Sequence, residues 1–385
     1  MTRYFIIILS LIGLFSCTSP LSTNTNYRVD PKSWPTQTVA LDDIIKEIRV
    51  IPLETKPECQ IGYVYEIKYA PGLIIIANSN GFSCFDSTGN FLHPLSTNGK
   101  GPGEYVSVGD ITVNEERSEL LMNDYQIGKL LYFNLKGEFL RSAKTSFEGY
   151  PYQLINKDLI AVHAGRMGAN RENFELALIN WDGRVQQLCF PFPKPVDGDK
   201  CRGFAAGTTA GSVLYHKVFD TRIYEIWPDH IDTLLTLDFG SSAIDTLKYF
   251  STPGDFFKSY DEKQKVHGLI YLTNTPSHLA ASIRMGGEPR GTWVLDHQSK
   301  NHRFLAADTL NSIGNFKGCP VNIPRQTNGS WFVSVIDGIN WFESISKLTE
   351  AQKVILRREV PGFIQAEKVT MDGNPVLVYY RFKDF

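Results

Sequence analysis

Two stretches of this chain, Ile74 to Leu92 and Leu120 to Leu140, are copies of one folding unit. Each reads as an apolar strand, a polar turn, a second strand ending in an aromatic, a Gly-containing tight turn and a third strand, the grammar of an antiparallel β-meander. The tight turns, Ser87-Thr-Gly-Asn90 and Leu135-Lys-Gly-Glu138, occupy equivalent places. A four-stranded meander that recurs at a spacing of roughly 40 to 50 residues buries its two faces only against neighbouring copies, and that requirement points to a β-propeller. The 17 Tyr and 24 Phe among 385 residues suit strands better than helices.

Four further copies follow the same rhythm. The first two blades are expected over about Gln60 to Leu95 and Val106 to Ser142. A third includes Asp158 to His163 and Phe174 to Asn180, and a fourth Ser212 to His216, Arg222 to Trp227 and Asp232 to Leu237. The pattern breaks at about 241–265, where Pro253-Gly254 and a charged run from Asp261 to Lys265 read as a small, partly helical insertion. Blade five resumes at Gly268, and blade six holds Trp331 to Val335, a helical loop from Trp341 to Glu359 and a last strand to Phe382. The apolar strand Ile48 to Leu53 is left over at the other end. The expectation is an all-β protein in which residues 39–385 form a six-bladed β-propeller of four-stranded antiparallel blades, its ring closed by the N- and C-terminal strands.

Residues 1–17 have a short basic start, an apolar run and small residues before Cys17. The run is shorter than the roughly 20 residues that span a bilayer, so it reads as an export signal. Leu14-Phe-Ser-Cys17 resembles a bacterial lipobox, which implies cleavage before Cys17 and its acylation; the alternative is an ordinary signal peptide with an incidental cysteine. Several acyl chains anchor a protein stably to a membrane. Residues 18–38, rich in Ser, Thr, Asn and Pro, read as a flexible tether. In an oxidising compartment the five remaining cysteines cannot all pair. Cys189 and Cys201, flanking a Pro-rich loop, are the candidate disulfide, against the alternative of buried free thiols.

The order Ile51-Pro-Leu-Glu-Thr55, Ile61-Gly62, Gly99-Lys-Gly-Pro-Gly-Glu-Tyr105 and Asn374-Pro-Val-Leu-Val378 resembles the six-bladed β-propeller lipoproteins of Bacteroidetes, a family of unknown function that is distantly NHL-like. The resemblance implies a cell-envelope lipoprotein and carries no catalytic motif. Surface-exported lipoproteins of that phylum usually have acidic residues soon after the lipidated cysteine. Thr18 to Asn24 contains none, which favours the outer membrane's periplasmic side over surface exposure.

A net charge of −2 gives no reason to expect nucleic acid. Gly99-Lys-Gly-Pro-Gly103 lacks the closing Gly-Lys-Ser/Thr of a phosphate loop, and Pro102 removes an amide, so it reads as a structural inter-blade loop in which Glu104 and Tyr105 cap the next blade or line its central mouth. His297 and His302 are not spaced to share one face, Asp197-Gly-Asp199 is too short for a calcium loop, and no Cys-x-x-Cys occurs, so neither metal nor cofactor is expected. Arg166, His216 and Arg284 sit at strand ends beside Gly-containing loops and are the candidate ligand-binding residues. Three functions stay open: a non-catalytic module that binds a glycan, peptide or envelope protein, a glycan-active lyase or hydrolase with its site in the central funnel, and a structural subunit docking an envelope complex through the 241–265 insertion.

Overall fold

The computed structural model describes residues 25–34, 41–95, 98–125, 127–145, 147, 149–163, 173–191, 203–217, 220–245, 262–306 and 312–385. Six antiparallel blades form a propeller, with the first strand of each blade innermost. Blade one is β3 to β6 (Val64–Ala70, Leu73–Asn78, Gly81–Asp86, Phe91–Pro94) and blade two is β7 to β10 (Val108–Asn114, Glu119–Asp124, Lys129–Asn134, Phe139–Lys144). Blade three is β11 to β14 (Tyr152–Asn156, Leu159–His163, Phe174–Asn180, Val185–Pro191). Blade four is β15 to β18 (Phe204–Ala206, Val213–His216, Arg222–Ile226, Ile231–Asp238), and blade five is β19 to β22 (Val266–Asn274, His278–Met285, Glu288–Asp296, His302–Ala306). Blade six takes three strands from the C-terminal end, β25 to β27 (Gln326–Asn328, Trp331–Ile336, Val376–Phe382), and its outer strand, β2 (Ile45–Pro52), from the N-terminal end. Val50 pairs with Val378 and Ile48 with Tyr380, so the expected closure holds in register.

Alternation along the strands explains the ring. Ile74 and Ile76 of β4 face Val333, Val335 and Leu377 of blade six, while the intervening Ile75 and Ala77 face Ile111, Leu120 and Met122 of blade two. A strand buried on both faces has no polar side to display, which is why Ile74-Ile-Ile-Ala77 and Leu120-Leu-Met122 are unbroken apolar runs. Six such cores, one between each pair of adjacent blades, replace the single core of a globular domain.

The tight turns between third and fourth strands share one device. Asp86 Oδ1 accepts the amides of Thr88 and Asn90 at 2.8 and 3.0 Å, and Asn134 and Asn180 repeat the arrangement in blades two and three. Gly89, Gly137 and Gly183 follow at φ of 92°, 82° and 83°, where a side chain is strained. At Gly89 an added Cβ would also lie 2.2 Å from the Pro52 carbonyl oxygen, so this turn doubles as the seat of the closing strand.

Three regions depart from the expectation. The span 18–38 is not a tether throughout: Thr25–Arg28 forms β1, which adds in parallel to the outer edge of β18 and makes blade four five-stranded. Tyr27 packs edge-on against Trp293 at 5.4 Å, and Trp34 stacks on Phe304 at 4.1 Å, so aromatic side chains in a Ser/Thr/Asn-rich stretch fasten it across blades four and five. An extra hairpin, β23 and β24 (Ser312–Phe316, Cys319–Asn322), stands between blades five and six. The helical loop of blade six is larger than expected, comprising α1 (Gly338–Ser346), α2 (Glu350–Glu359) and α3 (Phe363–Ala366). Asp337 caps α1 by accepting the Asn340 amide, Thr349 and Gln352 form a capping box on α2, and Trp341, Leu356 and Phe363 are buried in the core shared by blades five and six. Most of the 241–265 insertion lies outside the described residues, as do Cys17, Arg166 and Cys201.

Candidate functional site

The inner strands leave a channel along the axis. On the side where each first strand turns into its second, the channel widens into a funnel of about 1000 Å³. Its wall takes Lys68 from β3, Thr112 from β7, Gln153 from β11 and Gln326 and Thr327 from β25. Blade four contributes the turn from Gly207 to Ser212, and blade five contributes Asn274, Thr275, His297 and Lys300. Hydroxyl and amide side chains therefore dominate the polar part of the wall. Two of these groups are held from behind. Glu225, buried, accepts from the Thr208 amide at 2.8 Å, the Thr208 hydroxyl at 2.7 Å and the Ser212 hydroxyl at 2.5 Å, fixing the blade-four turn. His297 Nε2 bonds Asn274 Oδ1 at 2.8 Å, which leaves the Asn274 amide nitrogen to donate to the carbonyls of Ala206 and Gly207.

Above the funnel the channel narrows to a charged throat. Lys68 Nζ lies 3.8 Å from Glu66 and 4.0 Å from Asp110, and Gln326 Nε2 donates to Glu66 at 2.8 Å. Lys68, Tyr152, Gln153 and Gln326 also border a second, much smaller cavity beyond, so this layer separates the two ends of the channel. Glu66 and Asp110 are register equivalents, each placed after a bulge at the start of the inner strand. Burial pushes the Asp110 carboxyl up to about 6, against the pull of Lys68 and with the push of Glu66. Both Asp110 oxygens are engaged by amides, Ile111 at 2.7 Å and Tyr152 of the next blade at 2.7 Å, so the carboxylate ties blades two and three together.

The candidates named from sequence lie elsewhere. His216 ends β16, is fully buried, and donates from Nε2 to the Leu269 carbonyl of blade five at 2.9 Å. Arg284 of β20 is close enough for its charge to depress the His216 imidazole, and neither residue lines the funnel. The strand position of His216 explains its burial. Asn78, Asp124, His163 and His216 all end second strands; Asn78 and Asp124 accept amides of the segments that enter their own blades, whereas His163 and His216 bond the next blade. Asp124 accepts the Val106 amide at 2.6 Å, and His163 Nδ1 bonds the Tyr215 hydroxyl of blade four at 2.8 Å. His216 is thus a blade-to-blade fastener and not an open ligand-binding group, and Arg166 lies outside the described residues. Cys189 is a buried free thiol pushed up by burial to about 11, while its suggested partner Cys201 is not among the described residues.

The Gly99 to Tyr105 loop is structural, as expected. Gly101 donates its amide to Glu104 Oε2 at 2.7 Å, a Cβ at Gly99 would meet the same carboxylate at 2.1 Å, and Tyr105 is buried against Phe82 and away from the central mouth. His302 accepts from the Trp293 indole at 3.0 Å, far in role from His297. The funnel residues that the sequence did not single out, Lys68, Thr112, Gln153 and Gln326, sit on inner strands that mix polar with apolar residues, as in Val64-Tyr-Glu-Ile-Lys-Tyr-Ala70 and Gln326-Thr-Asn328. Their common signal is that the inner strand is more polar than the apolar second strand beside it.

Comparison with known proteins agrees with this architecture. A family model described as a domain of unknown function (DUF4934) matches residues 27–381. A crystal structure of a protein inferred to be exported, from Bacteroides fragilis NCTC 9343, superposes with a TM-score of 0.75 at 14% identity, covering 94% of this chain and 100% of the other. A DUF4221 family member from Bacteroides vulgatus ATCC 8482 superposes with a TM-score of 0.52 at 10% identity, covering 89% and 98%. At these identities the likeness is one of fold. No curated protein matches the sequence.

Proposed function

We propose that this chain, which belongs to the DUF4934 family of unknown function, is a lipid-anchored protein of the cell envelope whose propeller is a non-catalytic binding module, with a glycan as its ligand in the funnel. The observation that carries this reading is the wall itself. A cavity of about 1000 Å³ lined by the Gln153 amide, the Lys300 ammonium and the hydroxyls of Thr112, Thr209 and Thr327, with the amides of Gln326 and Asn274 held in place by protein partners, matches a ligand rich in hydroxyl groups. The carboxyl with a raised pKa beside it, Asp110, has both oxygens committed to backbone amides, a structural role and not that of a poised acid.

A glycan and peptide array probed with the purified protein tests the reading. The double variant Gln153→Ala/Lys300→Ala removes an amide contributed by blade three and a cation contributed by blade five without touching the inter-blade cores. It is expected to weaken glycan binding by about tenfold or more, the equivalent of one or two net hydrogen bonds, with unchanged thermal unfolding. Binding indifferent to this variant, binding to peptides alone, or conversion of the bound glycan into product would each overturn it.

The envelope location is supported by the lipobox at Cys17 and by the exported character inferred for the Bacteroides fragilis neighbour. Cys17→Ala is expected to leave the protein either unprocessed or released from membranes. If cell fractionation finds the mature variant in the membrane fraction as before, the anchor lies elsewhere.

A further inference from the structure

Blade five carries a second cluster of ligand-type side chains, beside the funnel rim but outside its wall. His278 opens β20, Asp296 closes β21 directly opposite it, and Asp384 follows β27 of blade six. One ligand atom from each of the three lies within 4.8 Å of the other two. The histidine is fully buried, and its Nδ1 bonds the Ser277 hydroxyl at 2.9 Å, whereas its Nε2 is buried without a hydrogen-bond partner of acceptable geometry. The Lys383 backbone carbonyl also faces the ring, and Phe382 and Phe385, at 5.7 and 5.3 Å, hold the tail against it. A buried nitrogen left in this state is unfavourable, and coordination relieves it.

The surrounding geometry leaves room for that coordination. Asp296 is the blade-five counterpart of the turn residue Asp86, and its Oδ1 accepts the amides of Gln298 and Ser299 at 2.7 and 3.1 Å. Its Oδ2 accepts the Phe385 amide at 3.0 Å, one bond at an oxygen with two lone pairs. Ser299 and Asn301 donate to the Phe385 main-chain oxygen, and Arg303 stacks over the Phe385 ring at 4.7 Å, so the tail is already seated. Burial depresses the His278 imidazole, outweighing the opposing charges of Asp296 and Asp384 and the Lys383 carbonyl, so the ring is neutral at pH 7 and has a lone pair to give.

We propose that His278, Asp296 and Asp384 form a binding site for a divalent transition cation of the zinc type, which clamps the C-terminal tail to blade five. One imidazole with two carboxylates suits zinc or its neighbours, while calcium takes oxygen ligands throughout. Donors about 2.1 Å from a common ion lie roughly 3 to 4 Å apart. The cluster therefore contracts slightly on binding, and Asp384, exposed at the surface, is the ligand free to move in.

The test uses the untagged full-length protein, stripped with chelator and titrated calorimetrically with ZnCl₂ and, separately, CaCl₂. One zinc per chain is expected, with calcium binding at least tenfold weaker. Asp384→Asn is expected to weaken zinc binding by tenfold or more without altering unfolding of the metal-free protein, and His278→Gln is expected to abolish it. Absence of saturable zinc binding, or an unchanged affinity in Asp384→Asn, would overturn the site, and the latter variant decides the matter even if His278→Gln folds poorly.

Discussion

Deletion of Val376 through Phe385 is expected to abolish cooperative unfolding of the entire propeller. These residues form the strand between β26 and β2, so their loss strands the N-terminal segment without a partner and opens the ring between blades six and one. Val376, Leu377, Val378, Tyr379, Tyr380 and Phe382 are all buried. At roughly 1.5 to 3 kcal/mol for each such side chain, the removed burial is on the order of 10 kcal/mol or more, which equals or exceeds the whole stability of a typical domain. Alternate faces of this strand belong to the two cores flanking blade six, so the damage spreads in both directions. Circular dichroism melting and limited proteolysis of the truncated protein measure the effect. A single sharp transition near that of the intact chain would show that the closing strand is dispensable.

Acid should loosen the same ring through its buried histidines. Burial drives His163 down to about 3, helped by the neighbouring charge of His216, and drives His216 down to about 4, against the bond to Leu269 and the charge of Asp220. A histidine whose folded pKa is depressed binds its proton more readily in the unfolded chain. Its contribution to stability is therefore intact above about pH 6.5 and lost as pH falls from 6.5 towards 3 or 4. At about pH 4.5 the loss is on the order of 2 to 3 kcal/mol for each histidine. Asp110 acts in the opposite sense: its raised carboxyl favours the folded state below about pH 4, and that contribution is lost as pH rises through about 6. Two histidines outweigh one carboxyl over this window. Urea unfolding of the native chain and of His163→Gln/His216→Gln, compared from pH 7 to 4.5, separates this effect from general acid lability. The stability difference between the two proteins should narrow or reverse on acidification, and a constant difference would refute the assignment.

The fold was legible because its determinants are local and periodic. Two-residue alternation interrupted by Asp/Asn-x-x-Gly turns marks the strands, and a run such as Ile74-Ile-Ile-Ala77 reports that both faces are covered. The apolar strand Ile45–Pro52, with no partner in a repeat of its own, and Val376–Phe382, which its own repeat pairs on one edge only, implied the closure. The β1 strand was not legible, because its docking rests on Tyr27 and Trp34 meeting Trp293 and Phe304, more than 250 positions away. Tertiary structure alone decided the sites. Lys68, Thr112, Gln153 and Gln326 come from four blades, and His278, Asp296 and Asp384 from two, so no spacing along the chain relates them. His216 shows the converse: at a strand end beside a glycine-containing loop it has the sequence appearance of a ligand-binding residue, yet the ring turns that strand end inward, and the imidazole is spent on the carbonyl of the next blade. Sequence periodicity sets which face of a strand is apolar, whereas which polar residues converge on the axis depends on the number of blades and their tilt, quantities that exist only once the ring has closed.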